Sequence, residues 1–427
     1  MSWTPRSEAS SSSLSLASTD PSSPEFSDLE NSTFENFNND ERTYVMIIGG
    51  LGYIGSHTTL ELLKAGYNVV LVDDLSNAYD SVIERVESLA AEHCHAAGRK
   101  VPTLNFHKLD YKSSAMRTLF SSYTLSSTRP GGVLRSRITG VIHFAAFKSV
   151  EESIQKPLDY YLNNVCGLVQ LLTMLRDNNI KNFVFSSSAT VYGTKANEGF
   201  PLCEEDLVHH PETITRDGGL EEHLVPGAKG LTSPYGRTKY FAEAILADVG
   251  KADPSMRITA LRYFNPVGCH PSGTLGEDPR QKPTNLFPVI AQVLAGSKST
   301  LEVFGTDWET RDGTAVRDFI HVVDLARGHV AALSAAVDTP DRDSFRAYNL
   351  GTGNGSTVSE VINSMETASD IKLPVRQVGR RDGDVGFCVA ATRRAEEELG
   401  WKTEKSLDEC AQDTWRALCL SGIVVPA

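Results

Sequence analysis

The chain has 427 residues, of which 40% are hydrophobic and 22% charged, and its 54 acidic and 41 basic residues give a formal net charge of −13. This composition is typical of globular proteins, and the acidic balance argues against nucleic acid or an anionic membrane surface as a partner. No run of 18 apolar residues occurs, so no membrane span is predicted. The seven scattered cysteines, without a Cys-x-x-Cys pair, favour a reducing, cytoplasmic compartment.

The first segment, residues 1–42, is rich in serine and acidic residues and poor in large apolar side chains. Such a segment cannot bury enough apolar surface to offset the entropy of ordering it. It is therefore predicted to be a disordered tail.

From Tyr44 onward, short apolar runs alternate with amphipathic stretches. Predicted strands cover residues 44–49, 68–72, 103–109, 139–144, 182–186 and 257–264, and predicted helices include 57–65, 161–178 and 235–248. Polar stretches at 93–100, 121–137 and 209–230 are predicted to be surface loops. The alternation predicts an α/β fold with a doubly wound parallel sheet of the Rossmann type. Because it weakens after Pro266, residues 43–265 are predicted to bind a cofactor and residues 266–427 to form a smaller α/β substrate-binding domain.

A glycine-rich turn follows the first predicted strand, with glycines at positions 49, 52 and 55. In this pattern Gly49 permits a tight turn, Gly52 lets the backbone approach a pyrophosphate, and Gly55 lets the helix pack on the strand. Asp73 directly follows the second predicted strand, at a position where a carboxylate can bind the adenosine ribose. A carboxylate there repels a 2′-phosphate, which favours NAD over NADP. The alternative is a structural αβ connection with a surface aspartate.

A second group of polar residues is suited to proton transfer. Ser188 follows the predicted strand 182–186, and Tyr235 and Lys239 lie four residues apart at the start of a predicted helix. A nearby ammonium stabilises a phenolate and so is expected to lower the pKa of Tyr235. Alone, a Tyr-x-x-x-Lys pair also fits an ordinary surface helix, but the dinucleotide-type turn and the serines favour the catalytic interpretation.

These features, with the motifs HFAAFK at 143–148, SSSATVYG at 186–193, RYFNPVG at 262–268, VRDFIHV at 316–322 and RRDGD at 380–384, carry a family resemblance. Over residues 44–416 the chain resembles the UDP-glucose 4-epimerases, a family of extended short-chain dehydrogenase/reductases. The resemblance implies interconversion of UDP-glucose and UDP-galactose by reversible oxidation and re-reduction at sugar carbon 4, with tightly bound NAD. It also implies a homodimer.

The resemblance implies a role for individual residues. Tyr235 would take the proton from the sugar 4-hydroxyl, Ser188 would hydrogen-bond that oxygen, and Lys239 would hold the nicotinamide ribose. Contacts to NAD would come from Gly49, Gly52, Tyr53, Ile54, Gly55, Asp73, Asn77, Asp110, Tyr111, Phe144, Ala145, Lys148, Asn163 and Phe264. Contacts to the uridine diphosphate and sugar would come from Asn265, Asn285, Leu286, Arg317, Arg381 and Asp384.

Cys388 occupies a position that holds a bulky tyrosine in some relatives and a small residue in those that accept N-acetylated sugars. The hypothesis is that the pocket admits UDP-N-acetylglucosamine and UDP-N-acetylgalactosamine as well; the alternative is a cysteine that only fills the core. His93-Cys94-His95 and His209-His210 lack a complementary ligand cluster, so no metal site is predicted.

Other functions on the same fold remain as alternatives. A nucleotide-sugar 4,6-dehydratase needs an Asp-Glu pair where this chain has Ala189-Thr190, and a decarboxylase needs a further basic cluster. A non-catalytic NAD-sensing regulator is a third possibility, since fold alone does not determine function. The presence of both Tyr235 and Lys239 favours an enzyme.

Overall fold

A computed structural model describes residues 42–125, 135–216, 218–278, 280, 285–338, 343–381 and 384–422. The predicted tail lies outside the described residues except for Arg42. The strands are β1 (Tyr44–Ile48), β2 (Asn68–Asp73), β3 (Leu104–Lys108), β4 (Thr124–Leu125), β5 (Arg135–Ser136), β6 (Ile138–His143), β7 (Asn182–Ser186), β8 (Glu212–Thr215), β9 (Glu221–Leu224), β10 (Arg257–Tyr263), β11 (Asn265–Val267), β12 (Leu301–Phe304), β13 (Val316–His321), β14 (Phe345–Leu350), β15 (Gly355–Thr357), β16 (Val375–Val378) and β17 (Phe387–Cys388).

Helices flank these strands. They are α1 (Tyr53–Ala65), α2 (Val82–Ala96), α3 (Ala115–Ser122), α4 (Val150–Gln155), α5 (Pro157–Tyr161), α6 (Gly167–Asp177), α7 (Pro234–Ala252), α8 (Leu286–Leu294), α9 (Val322–Asp338), α10 (Val358–Ser369), α11 (Arg393–Leu399) and α12 (Leu407–Leu420). A π-helical turn spans Leu162–Cys166, and 3-10 segments span Ala189–Glu198 and Glu204–Asp206. No helix among the described residues is both long and apolar enough to cross a membrane.

The largest sheet confirms the predicted doubly wound architecture. Among the described residues it has seven parallel strands in the order β14-β10-β7-β6-β1-β2-β3. The interior strand β1 is buried along its whole length, as expected for a parallel sheet covered by helices on both faces. Chain order reverses between β1 and β6, which creates a crevice outside the carboxyl ends of the strands, where such folds bind ligands.

The C-terminal part of the chain builds smaller sheets and also contributes to the large one. β11, β13, β15 and β17 form a second sheet, and β12 pairs with β16. An apolar cluster packs around them, including Phe287, Ile290, Val361 and Met365. The sequence reasoning missed β14, which pairs with β10 in the large sheet through the register Ile258↔Phe345 to Tyr263↔Leu350.

All three predicted loops contain some regular structure. The prediction for residues 93–100 is wrong in its first half, because α2 continues to Ala96: Val86, Ala90 and Cys94 recur every four residues and bury one face of the helix. The stretch 209–230 contains the antiparallel hairpin of β8 and β9. In the third stretch, β4 pairs with β5, and residues 126–134 lie outside the described residues.

Candidate functional site

The glycine-rich turn connects β1 to α1, and its glycines have distinct structural requirements. Gly49 has φ +79°, and a Cβ there would lie 2.6 Å from the backbone nitrogen of Ala145. A Cβ on Gly55 would lie 2.3 Å from the Gly49 carbonyl oxygen. At Gly52, the residue that precedes α1, the nearest atom to a Cβ is the Gly49 oxygen, at 3.6 Å. Gly49 and Gly55 are thus required by protein packing, whereas Gly52 leaves the helix N-terminus open to a pyrophosphate.

The acidic residue at the end of β2 lies beside this turn. Asp73 is buried, and its carboxylate accepts hydrogen bonds from the backbone N–H groups of Leu51, at 3.0 Å, and Leu75, at 2.9 Å. Burial raises the pKa of Asp73, and these two hydrogen bonds act in the opposite direction. The turn, the open helix N-terminus and this carboxylate together fit a dinucleotide with a free ribose 2′-hydroxyl.

The other predicted cofactor residues also follow the carboxyl ends of strands. Asn77 comes after β2, Asp110 and Tyr111 after β3, Phe144, Ala145 and Lys148 after β6, and Phe264 after β10. The Tyr53 hydroxyl donates to the Gly268 carbonyl at 2.6 Å, and Ile54 packs against the core beneath the turn. Lys148, whose side chain is exposed, forms an ion pair with Glu277 at 3.1 Å.

Asn163 lies in the π-helical turn, a distortion that often marks functional positions. Its side-chain oxygen accepts from Lys112 Nζ at 2.7 Å, and its backbone oxygen accepts from the Tyr111 hydroxyl. The neighbouring Asn164 is also buried and donates to Thr238 on α7 at 3.1 Å. The sequence reasoning missed Lys112 and Asn164, although both are adjacent in sequence to predicted site residues.

The three predicted catalytic residues are brought together where β7 meets α7. Tyr235 and Lys239 are buried on one face of α7, and Ser188 hydrogen-bonds Tyr235. The Lys239 ammonium donates to the Ser186 carbonyl at 2.5 Å and lies 5.9 Å from the centre of the Tyr235 ring. Ser188 Oγ accepts from the backbone and side chain of Thr190, so its own proton is directed to another acceptor.

Burial dominates the electrostatics of this pair. It raises the pKa of Tyr235 to about 12, and the hydrogen bond from Ser188 is the interaction that lowers it. Burial also lowers the pKa of Lys239 to about 7, while the charge of Glu243 raises it. The four-residue spacing predicts that Lys239 lowers the pKa of Tyr235, whereas in this structure burial of the phenol raises it.

Four of the predicted substrate residues form one group on β13, β17 and the segment between β16 and β17. Arg317 is paired in register with Cys388 and donates to Asp384 at 2.5 Å. Arg381 lies 3.9 Å from the other oxygen of Asp384. Burial raises the pKa of Cys388 to about 11, so its thiol stays protonated at neutral pH. Two arginines on one carboxylate provide forked donors suited to a diphosphate.

The remaining predicted substrate residues lie elsewhere in the fold. Asn265 begins β11, which pairs with β13. Asn285 precedes α8 in extended conformation, and Leu286 is the first residue of that helix. The described contacts do not join Asn285 or Leu286 to the arginine group.

A buried polar network beside the catalytic pair was missed by the sequence reasoning. Its centre is the ion pair between Glu243 on α7 and Arg262 on β10, with an N–O distance of 2.7 Å. His209 Nε2 lies 2.9 Å from the same carboxylate. The one available sequence signal was spacing, since Glu243 follows Tyr235 and Lys239 at four-residue steps on the helix. Within the described residues, no group of three or more His, Cys, Asp or Glu side chains is placed to hold a metal ion.

Comparison with known proteins agrees with this geometry. The sequence model of the NAD dependent epimerase/dehydratase family matches residues 45–351. UDP-glucose 4-epimerase of Drosophila melanogaster is 44% identical over 373 residues, which are 87% of this chain and 95% of that protein. The bifunctional protein GAL10 of Pachysolen tannophilus is also 44% identical, but this chain spans only 48% of its length. The crystal structure of UDP-glucose 4-epimerase from Bifidobacterium longum in complex with NAD+ and UDP has a TM-score of 0.74 and 40% identity, covering 89% of this chain and 99% of that one.

Proposed function

The chain belongs to the NAD dependent epimerase/dehydratase family and, within it, to the UDP-glucose 4-epimerases, and we propose that it interconverts UDP-glucose and UDP-galactose. The observation that carries this proposal is the convergence of Ser188, Tyr235 and Lys239 at the carboxyl edge of the sheet that also holds the glycine turn and Asp73. A dehydratase would need further acidic and basic groups after β7, where Ala189 and Thr190 stand.

NAD is the cofactor that this site fits. Gly49, Gly52, Gly55 and Asp73 would hold its adenosine half, and Lys239 the ribose of its nicotinamide half. When bound, NAD supplies the hydride acceptor and donor for carbon 4 of the sugar. The protein supplies binding, orientation and proton transfer.

Tyr235 is the proton-transfer group for the sugar 4-hydroxyl. Ser188 donates to the tyrosine oxygen and stabilises the phenolate, and the Lys239 ammonium adds positive charge on the same face of α7. Tyr235 takes the proton as the 4-keto sugar forms and returns it when carbon 4 is reduced from the opposite face. The stereocentre inverts without net oxidation.

Binding of the uridine diphosphate is assigned to the group of Arg317, Arg381 and Asp384, with contributions from Asn265, Asn285 and Leu286. The arginines provide the local positive charge that an acidic chain needs to bind an anionic substrate. We propose that residues 43–265 bind NAD and that residues 266–427 bind the UDP-sugar. This functional boundary does not separate the large sheet into two parts, because β14 from the second segment pairs with β10 from the first.

The substrate range, assembly and location are part of this proposal. Cys388 presents a small side chain beside Arg317, which supports acceptance of N-acetylated UDP-sugars. A homodimer is supported by an exposed apolar patch on α4, α5, the π-helical turn, α6 and α7, formed by Ile154, Leu158, Leu162, Val169 and Phe241. Seven free cysteines, the full number in the chain, agree with a cytoplasmic location.

A coupled assay tests the function directly. Purified protein is supplied with UDP-galactose, or with UDP-N-acetylgalactosamine, without added NAD. Turnover of UDP-galactose is expected, because tightly bound NAD would remain on the protein through purification. Inactivity on both substrates, even with NAD added, would contradict the proposal.

A further inference from the structure

Three consecutive serines at the end of β7 hold three successive turns of α7. Ser188 hydrogen-bonds Tyr235, and the Ser186 carbonyl accepts from the Lys239 ammonium at 2.5 Å. The Ser187 hydroxyl donates to the carboxylate of Glu243. The helix is therefore in register with the strand end at positions 235, 239 and 243, and only the first two take part in the chemistry described above.

The Glu243 carboxylate is completely buried and is bound on several sides. Arg262 donates to it through Nε, at 3.1 Å to each oxygen, and through a terminal nitrogen at 2.7 Å. The remaining donors of Arg262 bind the Tyr192 hydroxyl and the Glu204 and Leu207 carbonyls. Both charges are thus paired and hydrogen-bonded, which the desolvation cost of a buried ion pair requires.

Stability alone does not explain an ion pair at this place. Removing two charges from water costs several kcal/mol per ion, and replacing such a pair by well-packed apolar residues is often neutral or stabilising. Apolar residues could not provide a fixed hydrogen-bond acceptor for the Ser187 hydroxyl. They also could not provide a fixed negative charge one helical turn from Lys239.

We propose that Glu243 is a positioning residue for the epimerase reaction. Through Ser187 it keeps α7 in register with the serines of β7, and its carboxylate faces the Lys239 ammonium. The proposal rests on the proposed function, because it assigns Glu243 to the same acid–base site. Burial lowers the pKa of Lys239 to about 7 and Glu243 raises it, so loss of the carboxylate favours the neutral amine.

Other titratable and charged groups also face Lys239 and Glu243. They are Tyr235 on α7, Arg262 and Tyr263 on β10, His143 on β6, His209 before β8, and Tyr192 in the 3-10 segment. Burial, followed by the charge of Lys239, lowers the pKa of His143 to about 3, so this imidazole is neutral at the pH of the reaction. Glu243 is therefore the anionic member of this group near neutral pH.

The test compares Glu243→Gln and Ser187→Ala with Glu398→Gln. Glu398 is the control, because it also pairs with an arginine, Arg346, but this pair is partly exposed and lies on α11 away from the site. We expect Glu243→Gln to lower kcat about 100-fold, as misplacement of reacting groups does. In the profile of kcat against pH, the alkaline limb of this variant should shift to lower pH by about one unit. The reason is that a lower pKa of Lys239 causes the ammonium to be lost at a lower pH. Ser187→Ala, which keeps the ion pair, should lower kcat about tenfold, with the KM for UDP-galactose and the bound NAD unchanged.

The outcomes separate positioning from a structural role. If Glu243→Gln fails to fold because Arg262 loses its partner, the effect of Ser187→Ala on kcat decides. Unchanged kcat in folded variants would overturn the proposal. The proposal would also be overturned if the variants lost activity because they lost bound NAD. It would likewise be overturned if Glu243→Gln lost activity without a shift in its pH profile. Inactive wild-type protein would contradict the proposed function instead.

Discussion

The Asp73 carboxylate, at the end of β2, accepts a hydrogen bond at 3.0 Å from the backbone N–H of Leu51 in the glycine turn. A second bond, from Leu75 at 2.9 Å, holds the following segment. The acidic residue assigned to the ribose thus also orders the turn assigned to the pyrophosphate. We therefore expect recognition of the two parts of NAD to be coupled through this one side chain.

This coupling predicts that Asp73→Asn weakens NAD binding more than loss of one ribose contact would. The amide has a single acceptor oxygen, so one of the two backbone bonds is lost as well. We expect the affinity for NAD to fall about 100-fold, since each bond to a charged group contributes about 1.5–3 kcal/mol. Bound NAD after gel filtration measures this. Asp74→Asn is the control, as Asp74 is exposed and bonds only Ser76 in the described contacts; an equal loss there would contradict the coupling.

Tyr235→Phe removes the proton-transfer group and keeps the ring. We expect kcat for UDP-galactose to fall between about 100-fold and 10,000-fold, because general acid–base catalysis contributes on that scale. Bound NAD should be retained. Tyr67→Phe serves as the control, because Tyr67 follows α1 and its hydroxyl contacts Ser334 on α9, away from the predicted catalytic residues. Substantial turnover by Tyr235→Phe would assign the proton transfer to another group.

Buried histidines predict loss of stability in acid. Burial lowers the pKa of His57 and His143 to about 3 and that of His329 to about 4, compared with 6.5 for an exposed imidazole. Between pH 6.5 and about 4 the unfolded chain therefore binds protons that the folded chain excludes. The free energy of unfolding should fall with decreasing pH, by up to about 1.4 kcal/mol per pH unit for each histidine.

Urea unfolding at pH 7 and pH 5 measures this dependence. His329→Phe should reduce the loss between the two pH values, because it removes one of the buried imidazoles while filling similar space. His95→Gln on the exposed side of α2 should leave the loss unchanged. An equal pH dependence of the free energy of unfolding in wild type and His329→Phe would contradict the assignment of this dependence to the buried imidazoles.

Cys388→Tyr tests the substrate range. The larger side chain beside Arg317 should abolish turnover of UDP-N-acetylgalactosamine, because it occupies the space assigned to the acetamido group. Turnover of UDP-galactose by the same variant is the internal control and should stay within about threefold, since the change is confined to one side of the pocket. Unchanged turnover of the N-acetylated substrate would reject the hypothesis.

The apolar patch predicts a dimer that charge can separate. Leu158 and Leu162 lie four residues apart and are 73% and 62% exposed. Leu158→Glu combined with Leu162→Glu should shift the sedimenting species from a dimer to the 46.5 kDa monomer. Phe200→Glu, which is equally exposed but outside the patch, should not. A wild-type monomer at micromolar concentration would contradict the homodimer.

Local sequence patterns were sufficient for much of the fold and for the placement of Tyr235 and Lys239 on one helix face. Glycine spacing located the turn, and four-residue spacing placed Tyr235 and Lys239 on one face of α7, because a helix repeats every 3.6 residues. The six predicted strands differ from the observed ones by at most one residue at either end, since buried parallel strands form continuous apolar runs.

What the sequence determined by itself is whatever depends on neighbours along the chain: the glycine turn, the Tyr-x-x-x-Lys spacing and the β-α alternation. Tertiary structure alone decided that β14 joins β10, that Arg317 meets Asp384 and Cys388, and that Arg262 neutralises Glu243. The physical reason is that sheet order brings together segments far apart in the chain. The protonation of Tyr235, Lys239 and Glu243 likewise follows from burial and from partners on other elements, which no local pattern encodes.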